Sequence, residues 1–292
     1  GPEKTTLYIA ALERFVEEWA EHEIAARALY EWAGVVHGQG DYVRAHALAS
    51  RGWAEHPDSV GGAWCYNLIQ QIVAKSATIQ TERVWNDPLP DIQVTYRNVT
   101  RVFFRAIHLS AEEAIQPVWQ YIGRDELGML LTQFEPALAW DADLPATDDY
   151  QERTESLPAP EGLEKGFYFI LASHDPAFEK SDNQVSIASI WVSDLALVVR
   201  SLYQDGLVEG FVLDANGGEP LAGAKVMRYK CSYWTCWLDG QTSSDKNGLF
   251  SFSYDGDWTY SYLFLVEYEG QKLATENTYG IYLAQIDPAP NE

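Results

Sequence analysis

Cys231 and Cys236 lie five positions apart and enclose Ser-Tyr-Trp-Thr in a strand-like context. A hairpin with that four-residue tip brings their Cβ atoms near the ~3.8 Å separation a disulfide needs. The spacing equally suits a reduced pair, or two thiolates of a metal site that lacks its two other ligands. Spacing alone leaves the three readings open. Cys65, inside an apolar helical stretch, reads as an inert buried thiol. The six histidines, at 22, 37, 46, 56, 108 and 174, form no His-x3-His pair with a helical Glu, so they read as surface or capping residues. His174-Asp175 with Asp182 offers carboxylates for calcium, but without the regular alternation of a calcium loop it reads as a solvated loop. Glu112-Glu113 and Asp148-Asp149 are paired acids with no partner base. No nucleophile elbow, phosphate loop or Gly-x-Gly-x-x-Gly is present. The expectation is therefore no catalytic residue, no cofactor and no metal. Asn98-Val99-Thr100 spells a glycosylation acceptor, irrelevant if the source is bacterial.

Aromatic residues are the other candidate chemistry, with 11 Trp and 17 Tyr in the chain. Tyr229, Tyr233, Trp234, Trp237, Trp258, Tyr260 and Tyr262 crowd one stretch, more than one small core can hide. One reading is core and edge packing plus contacts to further domains. The other is a carbohydrate- or peptide-binding face made of Tyr229, Tyr233, Trp234, Trp237, Trp258 and Tyr260, since aromatics present rigid apolar area with a polar tip.

Charge narrows the partners. The 292 residues carry 20 Lys+Arg against 43 Asp+Glu, a formal charge of −23. That balance argues against nucleic acid and anionic membrane, which both need basic patches. A hydrophobic fraction of 47% with 22% charged residues describes a folded protein with room for more than one core. No run of 18 apolar residues exists, so no membrane insertion by this segment is expected. Gly1-Pro2 reads as the scar of a cleaved expression tag, which makes the lack of a signal peptide uninformative.

Three stretches of different period must position these residues. Up to about residue 80 the chain reads as four helices. Tyr8, Leu12, Phe15 and Trp19 form the apolar stripe of the first. The second runs over about 23–36, the third over 42–54 behind Asp41 as N-cap, and the fourth over 63–76 behind Ser59. Leu29, Trp32, Ala33, Ala45, Ala49, Gly52 and Pro57 fall at the spacing of one tetratricopeptide unit, in which small residues let two helices approach closely. From Asp91 the period is two, through 92–96, 99–109, 166–173 and 185–202, with a short capped helix at Ser110–Ala114 and an edge strand within 142–162. Turn signals at Asn216-Gly217-Gly218, Asp239-Gly240, Asn247-Gly248, Asp255-Gly256 and Glu269-Gly270 then recur every 8–12 residues, the rhythm of a β-sandwich.

Within the last stretch, Val208-Glu-Gly210-Phe-Val212-Leu-Asp214, Gly218-Glu-Pro220-Leu221-Ala-Gly223-Ala224-Lys-Val226 and Asp245-Lys-Asn-Gly248-Leu-Phe250-Ser-Phe252 resemble the carboxypeptidase-regulatory-like and macroglobulin-type sandwich. Tyr96-Arg97-Asn98-Val99-Thr100-Arg101-Val-Phe-Phe-Arg105, Gly166-Phe-Tyr168-Phe, Asn183-Gln184-Val185 and Trp191-Val192-Ser193-Asp194-Leu195-Ala196-Leu-Val-Val-Arg200 resemble the first and last strands of the first macroglobulin-like domain in bacterial alpha-2-macroglobulin-like proteins. The likeness spans about 91–287, and the helical start is similar to helical extensions of some such proteins.

The resemblance implies a multidomain α plus all-β chain. Its parts would be a tetratricopeptide-like helical cap at 3–80 and antiparallel macroglobulin-like β-sandwiches at 91–204 and 205–287. It implies a non-catalytic scaffold at the N-terminal end of a longer protease inhibitor, exported to the periplasm or cell surface. Its partners would be other domains of the same chain, with proteases as targets of the whole. Inhibitory members carry a bait region and often a Cys-x-Glu-Gln thioester, and neither cysteine context here is one. The alternative is a surface or periplasmic module whose aromatic-rich sandwich holds glycan or peptide. An exported protein would meet an oxidising compartment, where a Cys231–Cys236 bridge persists.

Overall fold

The computed structural model describes residues 2–179, 183–202, 206–253 and 260–276. A helical N-terminal part precedes several sheets that are antiparallel except for one short parallel pair. The helices are α1 (Pro2–Glu18), α2 (Ile24–Gly38), α3 (Tyr42–Glu55) and α4 (Val60–Val73). Both expected caps form: the Arg44 N–H donates to Asp41 Oδ1 at 3.0 Å, and the Gly62 N–H to Ser59 Oγ at 2.9 Å. Each satisfies one backbone donor that a helix start leaves without an intrahelical partner. Leu29, Trp32 and Val36 of α2 share a core with Ala45 and Ala49 of α3 and with Leu68 and Ile72 of α4.

Two expectations for this part need correcting. Tyr8, Phe15 and Trp19 are exposed, whereas Ile9, Leu12 and Val16 pack into the core. Two apolar stripes run side by side along α1 and meet at Leu12. The helix packs chiefly against α2, so only the aliphatic stripe is covered. The chain is also not helical to residue 80. After Val73 it turns extended and forms β1 (Ser76–Gln80), where β-branched Thr78 and Ile79 suit a strand.

β1 joins β3 (Asp91–Arg97) and β6 (Arg153–Pro158) in the order β1-β3-β6, with Ala77 opposite Tyr96 and Val94 opposite Glu155. A five-stranded sheet follows the order β2-β8-β7-β4-β5. It contains β2 (Val84–Trp85), β4 (Arg101–Leu109), β5 (Leu138–Asp143), β7 (Gly166–Ser173) and β8 (Ser186–Val192). Alternation divides β4 and β7 between two cores. Phe104, Ala106, Tyr168 and Ile170 meet Ile92, Val94 and Tyr96 on one side. Ile107, Leu109, Phe167, Phe169 and Leu171 belong to the other core. Strand β7 is thus buried on both faces, as its nearly unbroken apolar run Phe167 to Ala172 requires.

The second core is roofed by α5 (Ala111–Ala114), α6 (Val118–Tyr121) and α7 (Arg124–Leu131), inserted between β4 and β5. Only α5, with its Ser110/Glu113 capping box, was legible beforehand. The expectation of essentially all-β structure past Asp91 therefore fails over 118–131. Val118-Trp-Gln-Tyr has strand-like propensity, but Leu127 and Leu131 of α7 lie in the second core.

β9 (Leu195–Leu202) pairs along its whole length with β10 (Leu207–Asp214), which also pairs with β13 (Leu249–Ser253). A four-stranded sheet runs β12-β11-β14-β15, from β11 (Lys225–Cys231), β12 (Cys236–Ser243), β14 (Ser261–Tyr268) and β15 (Gln271–Ala274). Hydrogen bonding thus changes sheets between Val192 and Leu195. The expected break at 204–205 falls on Gln204 and Asp205, outside the described residues. Glu269-Gly270 makes the β14–β15 turn, with φ of +47° and +79° at its two central residues. Asp239-Gly240 is not a turn. It lies inside β12 at a register shift in which Leu238 faces Tyr229 and Gly240 faces Arg228, leaving Asp239 as a bulge. Asp255-Gly256 lies outside the described residues.

Candidate functional site

The β11–β12 hairpin carries the features that sequence singled out. Cys231 and Cys236 are opposite one another in register and joined by a disulfide, S–S 1.99 Å. Between them, the Ser232 N–H donates to the Thr235 carbonyl at 2.9 Å. Ser232 Oγ accepts from the N–H groups of Trp234 and Thr235 at 3.3 and 3.2 Å, closing a two-residue tip of Tyr233 and Trp234. Because Ser232 and Thr235 are the hydrogen-bonded pair, the N–H and C=O of Cys236 point away from β11. They meet the carboxamide of Gln116, between α5 and α6, which also accepts from the Thr235 hydroxyl at 3.3 Å.

The aromatic residues separate by exposure. Tyr229 and Tyr262 are buried in the core, so neither contributes to a face, and burial pushes the Tyr229 hydroxyl pKa up. Tyr233, Trp234 and Trp237 are 57%, 79% and 40% exposed. Trp237 meets Tyr260 edge-on at 5.1 Å, and Tyr233 meets Trp234 edge-on at 4.9 Å. Trp258 lies outside the described residues. Tyr121 of α6 packs against Tyr233 with ring centres 4.1 Å apart and planes tilted by 32°, and Val118 and Leu238 are also exposed. Tyr121, Val118, Leu238 and Gln116 were not singled out from sequence. The one signal was the uncharged run Val118-Trp-Gln-Tyr.

Charges beneath the hairpin are paired. Buried Arg228 lies between Phe252 and Tyr262, 5.2 and 5.1 Å from their ring centres, and forms an ion pair with Asp239. Lys230 reaches the same carboxylate at 3.4 Å. Lys272 meets Glu112 at 2.7 Å. That hydrogen bond holds the Glu112 carboxyl below its usual pKa and the Lys272 ammonium above its own.

The other candidates take structural positions. Glu113 is held below the usual carboxylate range by Ser110, and Asp149 meets Arg153 at 3.0 Å. His46 stacks on Tyr150 at 5.1 Å, His108 packs on Tyr168 at 5.1 Å, and His56 Nε2 meets the Ala20 carbonyl at 3.0 Å. Cys65 is fully buried, and desolvation pushes its thiol pKa up to about 11. Asn98 donates from Nδ2 to the carbonyls of Ile72 and Ala74 at 2.8 and 2.9 Å, tying α4 to the β3–β4 turn. Asp182 of the proposed carboxylate cluster lies outside the described residues. Among the described residues no three His, Cys, Asp or Glu side chains group as metal ligands.

The architecture is similar to solved structures of native alpha-2-macroglobulin from Escherichia coli. One spans domains NIE-MG1, with TM-score 0.54 and 16% identity over 70% of this chain and 97% of that one. Bacterial alpha-2-macroglobulin supplies the fold. A second spans MG0-NIE-MG1, with TM-score 0.53 and 17% identity over 70% of this chain and 64% of that one. No protein-family profile matches the sequence, and no curated protein matches it. No helix among the described residues is long and apolar enough to cross a membrane.

Proposed function

We propose that this chain is a non-catalytic scaffold at the N-terminal end of a longer alpha-2-macroglobulin-like protease inhibitor of the periplasm or cell surface. The observation carrying this reading is the NIE-MG1 fold, matched over 97% of that structure. In this reading the two pairs of sheets are β-sandwiches, the first at the place of NIE and the second at the place of MG1. The change of sheet at Ser193-Asp194 divides them. Both E. coli structures match the same share of this chain, yet only 64% of the one that includes MG0 is covered. That difference supports reading the helical cap, with α2 and α3 as one tetratricopeptide-like pair closed around Ala33, Ala45, Ala49 and Gly52, as a part with no counterpart in those structures. Asn98 and the His46–Tyr150 stack hold that cap on the first sandwich, a rigid base suited to carry further domains.

Protease trapping would belong to parts of the protein outside this chain. The test is a comparison of this chain with its full-length parent. The parent should shield trypsin from a macromolecular inhibitor, the fragment should not, and the fragment should show only background rates across a hydrolase panel. Shielding by the fragment, or a parent reading frame that stops shortly after codon 292, would overturn the proposal.

A further inference from the structure

Beyond contacts to further domains of a longer chain, the scaffold reading gives the tip of the β11–β12 hairpin no task. Tyr121, Tyr233 and Trp234 touch in series there in water, with Trp234 79% exposed. Val118 on α6 and Trp237 and Leu238, on opposite faces of β12, are exposed nearby in sequence. Exposing such a cluster costs solubility, so a patch of this kind marks a contact surface. It is also rigid. The disulfide, the Ser232 turn and the Gln116 clasp fix its backbone, and Tyr121 packs against Tyr233. Rings fixed before binding lose little entropy on contact.

Charge identifies the class of ligand. In a chain of formal charge −23, neither Cys231 to Leu238 nor Val118 to Tyr121 contains an ionisable acid or base, apart from tyrosine hydroxyls and the bridged cysteines. The flanking Arg228 and Lys230 share the one carboxylate of Asp239, and their side chains are only 11% and 14% exposed, so they lie beneath the hairpin. The surface thus selects for an uncharged partner. Peptide addition to the β12 edge is blocked at Cys236, whose outward N–H and C=O already bond Gln116. Ring geometry favours a sugar. Tyr233 and Trp234 stand at 81°, and Trp237 and Tyr260 at 84°, so each pair forms a right-angled step. An indole face accepts the C–H face of a pyranose through its negative π surface, while the phenol hydroxyl at the step's edge bonds a sugar hydroxyl. We propose that the hairpin tip is a stacking platform for a neutral polysaccharide.

Native affinity electrophoresis tests this with the folded chain and soluble neutral polysaccharides (hydroxyethylcellulose, mixed-linkage glucan, galactomannan and xylan). Retardation by at least one of them is expected, with a shift in tryptophan emission. Trp234→Ala should weaken it by about tenfold or more. Tyr233→Ala should weaken it less, and Trp53→Ala, at an exposed tryptophan of the helical cap, should leave it unchanged. Trp234 is mostly in water, so an unchanged melting temperature will show that its variant folds. No retardation by any of the four, retardation that survives Trp234→Ala, or binding only to phosphatidylcholine vesicles would each overturn the proposal. None of these results bears on protease shielding by the parent protein.

Discussion

The Gln116 side-chain amide pairs with both backbone groups of Cys236, accepting from its N–H at 3.2 Å and donating to its carbonyl at 3.4 Å. β12 is an edge of its sheet, and Gln116 acts there as one residue of a missing neighbour strand. Gln116→Ala should lower stability by about 1–2 kcal/mol in urea titration and speed exchange of the Cys236 amide. Gln116→Glu can still accept but no longer donate, so it should fall between. An unchanged midpoint and unchanged exchange in the alanine variant would show that the clasp contributes nothing.

Thiol counting separates the three cysteines. The denatured, unreduced protein should yield one thiol, from Cys65, and three would exclude the bridge. In the native protein at pH 8 even that thiol should stay silent, because burial lifts its pKa to about 11. The bridge closes a short loop, so its chain-entropy contribution is about 2–3 kcal/mol. Reduction should lower the melting temperature by several degrees without unfolding the protein at room temperature.

Asn98 holds the helical part through two hydrogen bonds from its amide while sitting at φ +59°. Asn98→Gly keeps the left-handed conformation and loses the bonds, whereas Asn98→Ala loses both. The glycine variant should cost about 1–2 kcal/mol and the alanine variant about 1 kcal/mol more. Both should open residues 74–76 to proteolysis. Equal stability of the two variants would show that the backbone conformation carries no cost there.

The Glu112–Lys272 pair should leave a small mark on both limbs of the pH profile. The Glu112 pKa is lowered in the folded state, so its stabilisation is present above the unfolded value of ~4.3 and is lost as pH falls through the folded value. The Lys272 pKa is raised, so its share is present below ~10.4 and is lost as pH rises through the folded value. The two side chains are 51% and 31% exposed, and solvent screening limits the pair to about 0.2–1 kcal/mol. Lys272→Met should remove that increment at pH 7 and leave stability below pH 3 nearly unchanged. A larger loss at low pH than at neutral pH would contradict the assignment.

What was legible in the sequence follows from how local each cause is. Asp41 and Ser59 cap helices through bonds three residues away, and Glu269-Gly270 turns because both residues tolerate positive φ. β7 was legible because its aromatic and β-branched residues favour a strand, while its burial on both faces depends on the sheets around it. Asp239-Gly240 misled because the partners of Asp239 are Arg228 and Lys230 on the neighbouring strand, which outweigh a local turn preference. The α1 stripe misled because choosing between two parallel stripes depends on its neighbour α2. Gln116 carries no sequence signal, since its role exists only once β12 is an edge strand 120 residues away.

Two glycines should answer alanine in opposite ways. A Cβ on Gly61 would lie 2.4 Å from the Arg27 backbone nitrogen and 2.7 Å from the Ala26 carbonyl carbon. Neither atom is on a side chain that can swing aside, so α4 would have to retreat from α2 and loosen the packing of Leu68 and Ile72 around Leu29. Overpacking of this kind costs about 1–3 kcal/mol, and the fixed backbone on both sides places Gly61→Ala toward the upper end. Gly34, exposed on α2, has nothing within 4 Å of its would-be Cβ. There alanine only removes backbone freedom from the unfolded chain, so Gly34→Ala should stabilise by about 0.5–1 kcal/mol. Helix content followed at 222 nm through a urea titration reads both. A shift of the same sign in the two variants would show that the α2–α4 approach does not depend on the absence of a side chain at Gly61.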